Sequence, residues 1–529
     1  MADKLWFLLP EIWLFVGVVV LSIIGLSKSK SLRDSLPFVT CFFLIVAFIM
    51  TPFVYSADRV ADAPLLMPML GKYVKMIVCA VGTMLALLSV GLLDRPLEAA
   101  MAEGRTRFDA IRVNRGEYFA FFLLSLIGVM LVCNANDLIW LFLALELASL
   151  PTYIMVAISR PSSKAQEAAV KYFFLGAMSS AMFLYGFALL YGSTGTIVIT
   201  ELRDAFTDQT LSEGGLSRLA IVGMILSIIG LCFKIVAVPM HFYAADVYEG
   251  AASPVTAFLG FVPKTAGAVA LILLLSTVGW SNHHGFNVDG LPREILTTLW
   301  MIAVLTMTLG NVGALLQRSA KRMLAYSSIA HSGYLIIGLI AGPPFGLNAV
   351  LFYLLAYGLM NTAAFAVLAA FERRGQEIES LDDLAGLRRR YPVMAVVMAI
   401  AAGSLMGMPP LLGFAAKLYL FIAGMNAGHV ALIVIAALNS AISAFYYLKL
   451  VALPLLAQST PQSETVIPRP VVWPRVAAII TAAAIVILPI FANQLIKASN
   501  VANSIEQSAL LSATDDLSLV EKVEDGTRH

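Results

Sequence analysis

Apolar runs of about twenty residues recur along this chain with only short polar breaks between them, and each is long enough to cross the hydrocarbon core of a bilayer. They fall at residues 5–26, 36–54, 74–93, 116–134, 137–158, 166–192, 217–240, 254–278, 295–315, 323–341, 346–371, 392–424, 428–455 and 473–496. A backbone in lipid must satisfy its own hydrogen bonds, and runs without strand-like alternation exclude a barrel, so all read as helices. Composition agrees. Hydrophobic residues make up 60% and charged residues 13% of the chain, about half the charge of an average soluble domain. The opening MADKLWFLLPEIWLFVGVVVLSIIGL is too long in its apolar part for a secretory signal and lacks a small-residue cleavage site, so it reads as the first span. The expected fold is an all-α integral membrane protein of about fourteen transmembrane helices.

Lysine and arginine counts in the loops orient such a chain. With the N-terminus outside, 21 of the 35 basic residues fall on the inner side, among them Lys28, Arg105, Arg160, Lys171, Lys321 and Arg388. Ten fall on the outer side, among them Arg59, Lys72, Lys75 and Arg218. Both termini are therefore expected outside. Four lysines remain within spans: Lys234, Lys264, Lys417 and Lys449. The net charge of +2, with no basic arm, gives no nucleic-acid footprint. Cys41, Cys79, Cys133 and Cys232 lie in apolar runs without metal-ligand spacing and read as structural thiols.

A faint internal repeat is present. Ser179-Ser180-Ala181-Met182-Phe183 and Asn361-Thr362-Ala363-Ala364-Phe365 lie 182 residues apart, and the same shift carries Lys234 to within one residue of Lys417. Five spans separate equivalent points, so the second copy enters the membrane from the opposite face. The expected organisation is three N-terminal helices over 1–115, a first repeat over 116–280, a second over 281–456, a C-terminal helix within 457–496 and a polar tail over 497–529.

Charged groups inside spans carry the chemistry. Glu146 stands mid-span in LFLALELASLPTYIMVA, where a carboxylate costs about 3 kcal/mol and needs a partner or a watery cavity. Lys234 precedes Pro239 by five residues, Lys264 follows Pro263, and Lys417 follows Pro409 and Pro410, so each lysine is expected beside broken helical backbone. A lysine at a helix end often snorkels, but Lys234 has a long apolar stretch before it. Lys449 is the better candidate for snorkelling. His241 and His331 lie at or near spans, where a lone histidine is more often a hydrogen-bonded structural group. Lysine suits proton exchange because surroundings that disfavour the ammonium make it release a proton, and a nearby carboxylate holds that proton on. Arginine does not release its proton.

At these residues the chain resembles the antiporter-like membrane subunits of respiratory complex I, most of all the subunit N type. The resemblance rests on ELASLPTYIMVA from Glu146, AAVKYFF with Lys171, GLCFKIVAVPMHFYAADVYEGAASPV around Lys234 and His241, KRMLAYSSIAHSGY at 321–334, and GMPPLLGFAAKLYLF up to Lys417. It implies an antiporter-like fold with two inverted five-helix repeats and broken helices. It implies that Glu146 pairs with Lys234, that Lys264 connects the halves, and that Lys417 ends the row. Lys171, His241 and His331 would be accessory positions. Subunit M types carry a glutamate where Lys417 stands, and subunit L types add a long lateral helix, so both features favour the N type. The implied setting is a bacterial inner membrane, with partners of the M, L, K, J, A and H types and a peripheral dehydrogenase arm. NAD, FMN, iron–sulfur clusters and quinone would sit in those partners, since this sequence has no GxGxxG, P-loop or cysteine cluster. No metal site is expected. The alternative is a subunit of an Mrp-type Na+/H+ antiporter, which shares the same lysines.

Overall fold

The computed structural model describes residues 2–60, 65–109, 112–280, 290–373 and 375–498. The expected polar tail lies almost wholly outside the described residues, as do His283 and His284. Among the described residues, sixteen of the helices build the bundle and its breaks. The first eight are α1 (Leu9–Gly25), α2 (Lys30–Val54), α3 (Pro68–Leu88), α4 (Arg115–Val132), α5 (Leu138–Ile158), α6 (Ser163–Thr194), α7 (Arg218–Ile235) and α8 (Ala244–Gly250). The second eight are α9 (Ser253–Leu275), α10 (Arg293–Leu315), α11 (Ala320–Ala341), α12 (Phe345–Ala369), α13 (Pro392–Met406), α14 (Leu412–Asn426), α15 (Val430–Leu455) and α16 (Trp473–Ile487).

Among the described residues, 12 helices are long and apolar enough to cross a membrane, not the fourteen expected. The difference has two local causes. α1 is 17 residues long because Pro10 starts it late. The expected span 392–424 is divided into α13 and α14, of 15 residues each. Gly407 ends α13 at a φ of 93°, a conformation that costs glycine nothing, and Pro409 and Pro410 keep the chain from continuing. A small sheet of β1 (Phe371–Arg373), β2 (Gln376–Glu377) and β3 (Val466–Pro468), in the order β2-β1-β3, adds to the all-α pattern at one end of the bundle.

The break after Lys234 forms as expected, though not at Pro239 itself. α7 stops at Ile235, and Val236 adopts a φ of 60°. Ala237 N–H then donates to the Cys232 carbonyl at 2.7 Å, closing the helix end as a glycine normally would. A β-branched residue in the left-handed region is strained, and such strain persists only where the surrounding packing enforces it. At Lys264 the expectation of a break fails: α9 runs unbroken through Pro263. Burial explains the continuity. Every residue of α9 is buried, so neighbouring helices hold its backbone in line past the missing N–H donor.

Burial also orders the bundle. α9, α11 and α12 are almost wholly buried, whereas α2, α6, α10 and α15 expose large apolar side chains such as Phe53, Phe174, Leu309 and Phe445. A helix apolar on every face belongs at the centre, and apolar outer faces belong in lipid. The chain is a multi-pass membrane protein. Small residues permit the closest crossings, as where Gly25 of α1 meets Gly116 of α4.

Candidate functional site

Lys234 lies in the last turn of α7, and its side chain is 1% exposed. Its amine reaches across to α5, donating to Ser149 Oγ at 2.6 Å and to Glu146 Oε1 at 3.2 Å. The same carboxylate oxygen accepts from Ser180 Oγ of α6 at 2.6 Å. Gly267 makes this approach possible, because a Cβ there would stand 2.8 Å from the Lys234 Cβ. α9 thus presses directly on the base of the Lys234 side chain. Ser149 carries no mark in the sequence as a partner, yet it competes with Glu146 for the same amine. Ser149→Ala removes the shorter of the two contacts and leaves the charge pair alone. It should lower proton-coupled turnover by about threefold, in line with a loss of about 0.7 kcal/mol, the size of an ordinary hydrogen bond, read as the initial rate in membranes with normal amounts of the subunit.

Lys264 is fully buried and donates to the Ser328 carbonyl at 2.7 Å and to Ser328 Oγ at 2.9 Å, both on α11. Its amine lies 4.2 Å from the centre of the Tyr357 ring on α12, an attraction of the cation–π kind. Tyr357 in turn packs against His331, with ring centres 5.1 Å apart. His331 bonds two tyrosine hydroxyls: Nδ1 meets Tyr353 and Nε2 meets Tyr447, the latter at 2.9 Å. Tyr447 also bonds Ser327. Tyr334 then touches both His331 and Lys417, its ring centre 4.9 Å from the Lys417 amine.

Lys417 donates to the Met406 carbonyl at 2.9 Å and to Ser440 Oγ at 3.2 Å. Met406 is the last residue of α13, so this acceptor is a carbonyl left free by the break. The amine faces a cavity of about 350 Å³ lined by Gly407, Phe414, Phe421 and Ser440 among others. Ser332 of α11 ties the row to the other break by donating to the carbonyl of Ile235, the residue after Lys234.

Glu146 and Lys234 therefore form one buried cluster, and Lys264, His331 and Lys417 a row joined through Tyr357 and Tyr334; the two meet at Ser332, whose hydroxyl donates to the carbonyls of Ile235 and Ser328. Lys171 is brought into neither: its side chain is 42% exposed and its amine pairs with Asp246 at 2.8 Å and Glu167 at 2.7 Å. His241 lies in the segment between α7 and α8, its ring against Phe242. Lys449 is half-buried with its amine over the Phe445 ring.

Of the lysines counted above with the loops, Lys30, Lys72, Lys75, Lys164, Lys171 and Lys321 lie within those sixteen helices, and three of them matter most. Lys171 lies within α6, Lys321 lies in the first turn of α11, and Lys75 lies within α3 with no exposure. Lys75 forms a buried ion pair with Glu11 of α1 at 2.7 Å and also donates to the Phe7 carbonyl at 2.8 Å. Asn134 donates to the same carboxylate at 3.0 Å. The acid in LLPEIWLF is the available signal, since a glutamate in a first span needs a cation. Such a pair staples α1 to α3.

The sequence profile of a family described as "NADH:quinone oxidoreductase/Mrp antiporter, TM" matches residues 135–443. The chain is 39% identical over 453 residues to the protein named NADH-quinone oxidoreductase subunit N 1 of Thermodesulfovibrio yellowstonii, covering 84% of this chain and 88% of that one. It superposes on a chain of respiratory complex I from Thermus thermophilus with a TM-score of 0.73 and 28% identity, over 93% of this chain and all of that one. A chain of the Mrp complex from a Dietzia species gives a TM-score of 0.75 at 22% identity, over 97% of this chain and 98% of that one. At that identity the last likeness speaks for the fold alone.

Proposed function

Because the chain belongs to the NADH:quinone oxidoreductase and Mrp antiporter membrane family, in its subunit N branch, we propose that Glu146, Lys234, Lys264, His331 and Lys417 form the relay by which this proton-translocating subunit of NADH-quinone oxidoreductase moves its proton. The observation that carries the reading is the Glu146–Lys234 pair at a helix break, with side-chain contacts running from Lys264 through Tyr357, His331 and Tyr334 to Lys417.

The chemistry needs no redox group in this chain. While Glu146 stays beside Lys234, its negative charge holds a proton on the amine. Separation of the pair weakens that hold; as Lys264 passes its own proton on toward His331 it takes up the one from Lys234, leaving Lys234 neutral. His331 can accept at one ring nitrogen and donate at the other, because both already face hydroxyls. Lys417 then delivers the proton through the cavity beside it. Ser149 supplies the alternative partner that Lys234 needs when Glu146 withdraws.

The 21-to-10 loop bias, corrected for Lys75, Lys171 and Lys321, still favours the end with the small sheet as the cytoplasmic side, with both termini periplasmic in a bacterial inner membrane. The breaks support two inverted repeats near 116–280 and 281–456, after an N-terminal three-helix unit within 1–115 and before the last helix within 457–496. Glu146 is 19% exposed on one lateral face, and the Lys417 cavity serves another. Those two openings suit contact with neighbouring membrane subunits of the M, K, J, A, H and L types. NAD, FMN, iron–sulfur clusters and quinone belong to the partners and the peripheral arm.

Purification through a tag on this chain tests the assignment. The complex should carry flavin and iron–sulfur absorbance and acidify liposomes on addition of NADH and quinone. Recovery of a flavin-free assembly that exchanges Na+ for protons would instead establish the Mrp alternative. The 39% identity to a subunit N, over 84% of this chain, favours the first outcome.

A further inference from the structure

At the end of the bundle that carries the sheet, one carboxylate gathers an unusual number of donors. Glu377 of β2 has a side chain only 3% exposed. Its Oε2 accepts from Lys321 Nζ at 2.8 Å, from Arg160 Nη2 at 2.9 Å, and from both the backbone N–H and the hydroxyl of Ser253 at 2.8 Å. Arg469, just after β3, lies 3.2 Å from Oε1. Burial works to raise the pKa of this carboxyl, but Lys321, Arg469 and Arg160 overcome it and hold the pKa well below the usual carboxylate range. Glu377 is therefore ionised throughout the working pH range.

The donors are the ends of the elements that carry the row. Arg160 follows α5, which bears Glu146. Ser253 is the first residue of α9, which bears Lys264, and its free N–H belongs to the positive end of that helix. Lys321 lies in the first turn of α11, which bears Ser328 and His331. Its amine also donates at 3.1 Å to the carbonyl of Ala251, which caps α8 beyond the Lys234 break.

We propose that Glu377 is a positioning residue for proton transfer: by holding the ends of α5, α9 and α11 on one carboxylate, and the end of α8 through Lys321, it sets the register in which Lys264 meets Ser328 and Lys234 meets Glu146. The proposal rests on the relay reading above and goes beyond it. α9 is a rigid buried rod, so a shift at Ser253 is transmitted to Lys264, eleven residues or about 16 Å along the same helix. No proton passes through Glu377. Its effect is geometric, and a misplacement of about 1 Å in a transfer site can cost a hundredfold in rate.

The test uses the complete complex in liposomes. Glu377→Gln keeps the shape but leaves Lys321, Arg160 and Arg469 without their shared anion. It should assemble, with quinone-reducing turnover down about tenfold and fewer protons pumped per electron pair. Ser253→Ala removes one donor, leaves the backbone bond in place, and should lower turnover by about twofold with the same loss of coupling. Glu377→Asp should recover part of the activity. An assembled Glu377→Gln complex with normal turnover and normal protons per electron pair overturns the proposal. So does failure of Glu377→Gln to assemble together with a Ser253→Ala complex indistinguishable from wild type, since Glu377 would then be a folding staple. Lys234→Ala in the same preparation separates the two readings. Normal pumping there defeats the relay itself, whereas its loss beside a normal Glu377→Gln complex defeats the positioning role alone.

Discussion

Lys234→Ala should abolish most proton pumping by the reconstituted complex, with a fall of at least about tenfold in both pumping and quinone-reducing turnover, while the subunit still assembles. The amine is buried at the end of α7 and is the only cation paired with Glu146 among the described residues. Removing it leaves a carboxylate in a low-dielectric site whose remaining partner is Ser180. Breaking a buried pair by removing one partner costs about 3–5 kcal/mol, because the other charge is left uncompensated. With the amine gone, Glu146 has no proton carrier left to modulate. Lys234→Arg is the sharper companion. It preserves the charge and the pairing with Glu146, so assembly should be better than in the alanine variant, yet pumping should stay as low because guanidinium does not release its proton. The measurement is the quench of a pH-sensitive dye inside liposomes after addition of NADH and quinone. Pumping by the arginine variant near the wild-type rate would mean that Lys234 supplies only a fixed charge.

Lys264→Ala should produce a loss of similar size, and for a different reason. Lys264 holds no ion pair among the described residues; its partners are the Ser328 carbonyl and hydroxyl and the Tyr357 ring. Truncation removes the group that lies between the Lys234 break and His331, leaving a gap lined by hydroxyl and ring edges. Water filling that gap would bridge polar groups but would not hold a proton between transfers. Turnover and pumping should therefore fall together by about tenfold, with protons per electron pair unchanged in the residual activity. That constant ratio distinguishes Lys264→Ala from Glu377→Gln, where register is lost and the ratio itself should fall. A Lys264→Ala complex that pumps normally would mean that the halves communicate by a route around α9.

Much of this architecture is legible in the order of the amino acids. Apolar runs place α2 to α7, α9 to α12 and α15 close to where they form, because a chain in lipid has no other way to satisfy its backbone. The break before Lys417 is legible for the same kind of reason: two consecutive prolines forbid a continuous helix. Pro263 shows where that reasoning stops, since a fully buried helix can be held straight by its neighbours. Pro239 announces the break after Lys234, but the chain turns earlier, at Val236, whose strained conformation only packing enforces.

The candidate site divides in the same way. Amines and carboxylates in hydrocarbon announce themselves, since insertion is costly enough to need a purpose, and so Glu146, Lys234, Lys264 and Lys417 stand out singly. Their partners do not. Ser149, Ser328, Tyr357 and Tyr447 are common residues in membrane helices, and nothing in their local sequence separates a hydrogen-bonded partner from a packed neighbour. Lys75 passes for a loop residue because its position near a span end mimics a topological charge, and only the approach of Glu11 from another helix reveals it as half of an ion pair. Glu377 is hidden further still, in a segment whose significance depends on four distant parts of the chain meeting there. The cost of placing charge in lipid is a property of one residue and its depth, and it can be read along the chain. Which donors surround that charge is a property of helices brought together from far apart, and only the folded bundle decides it.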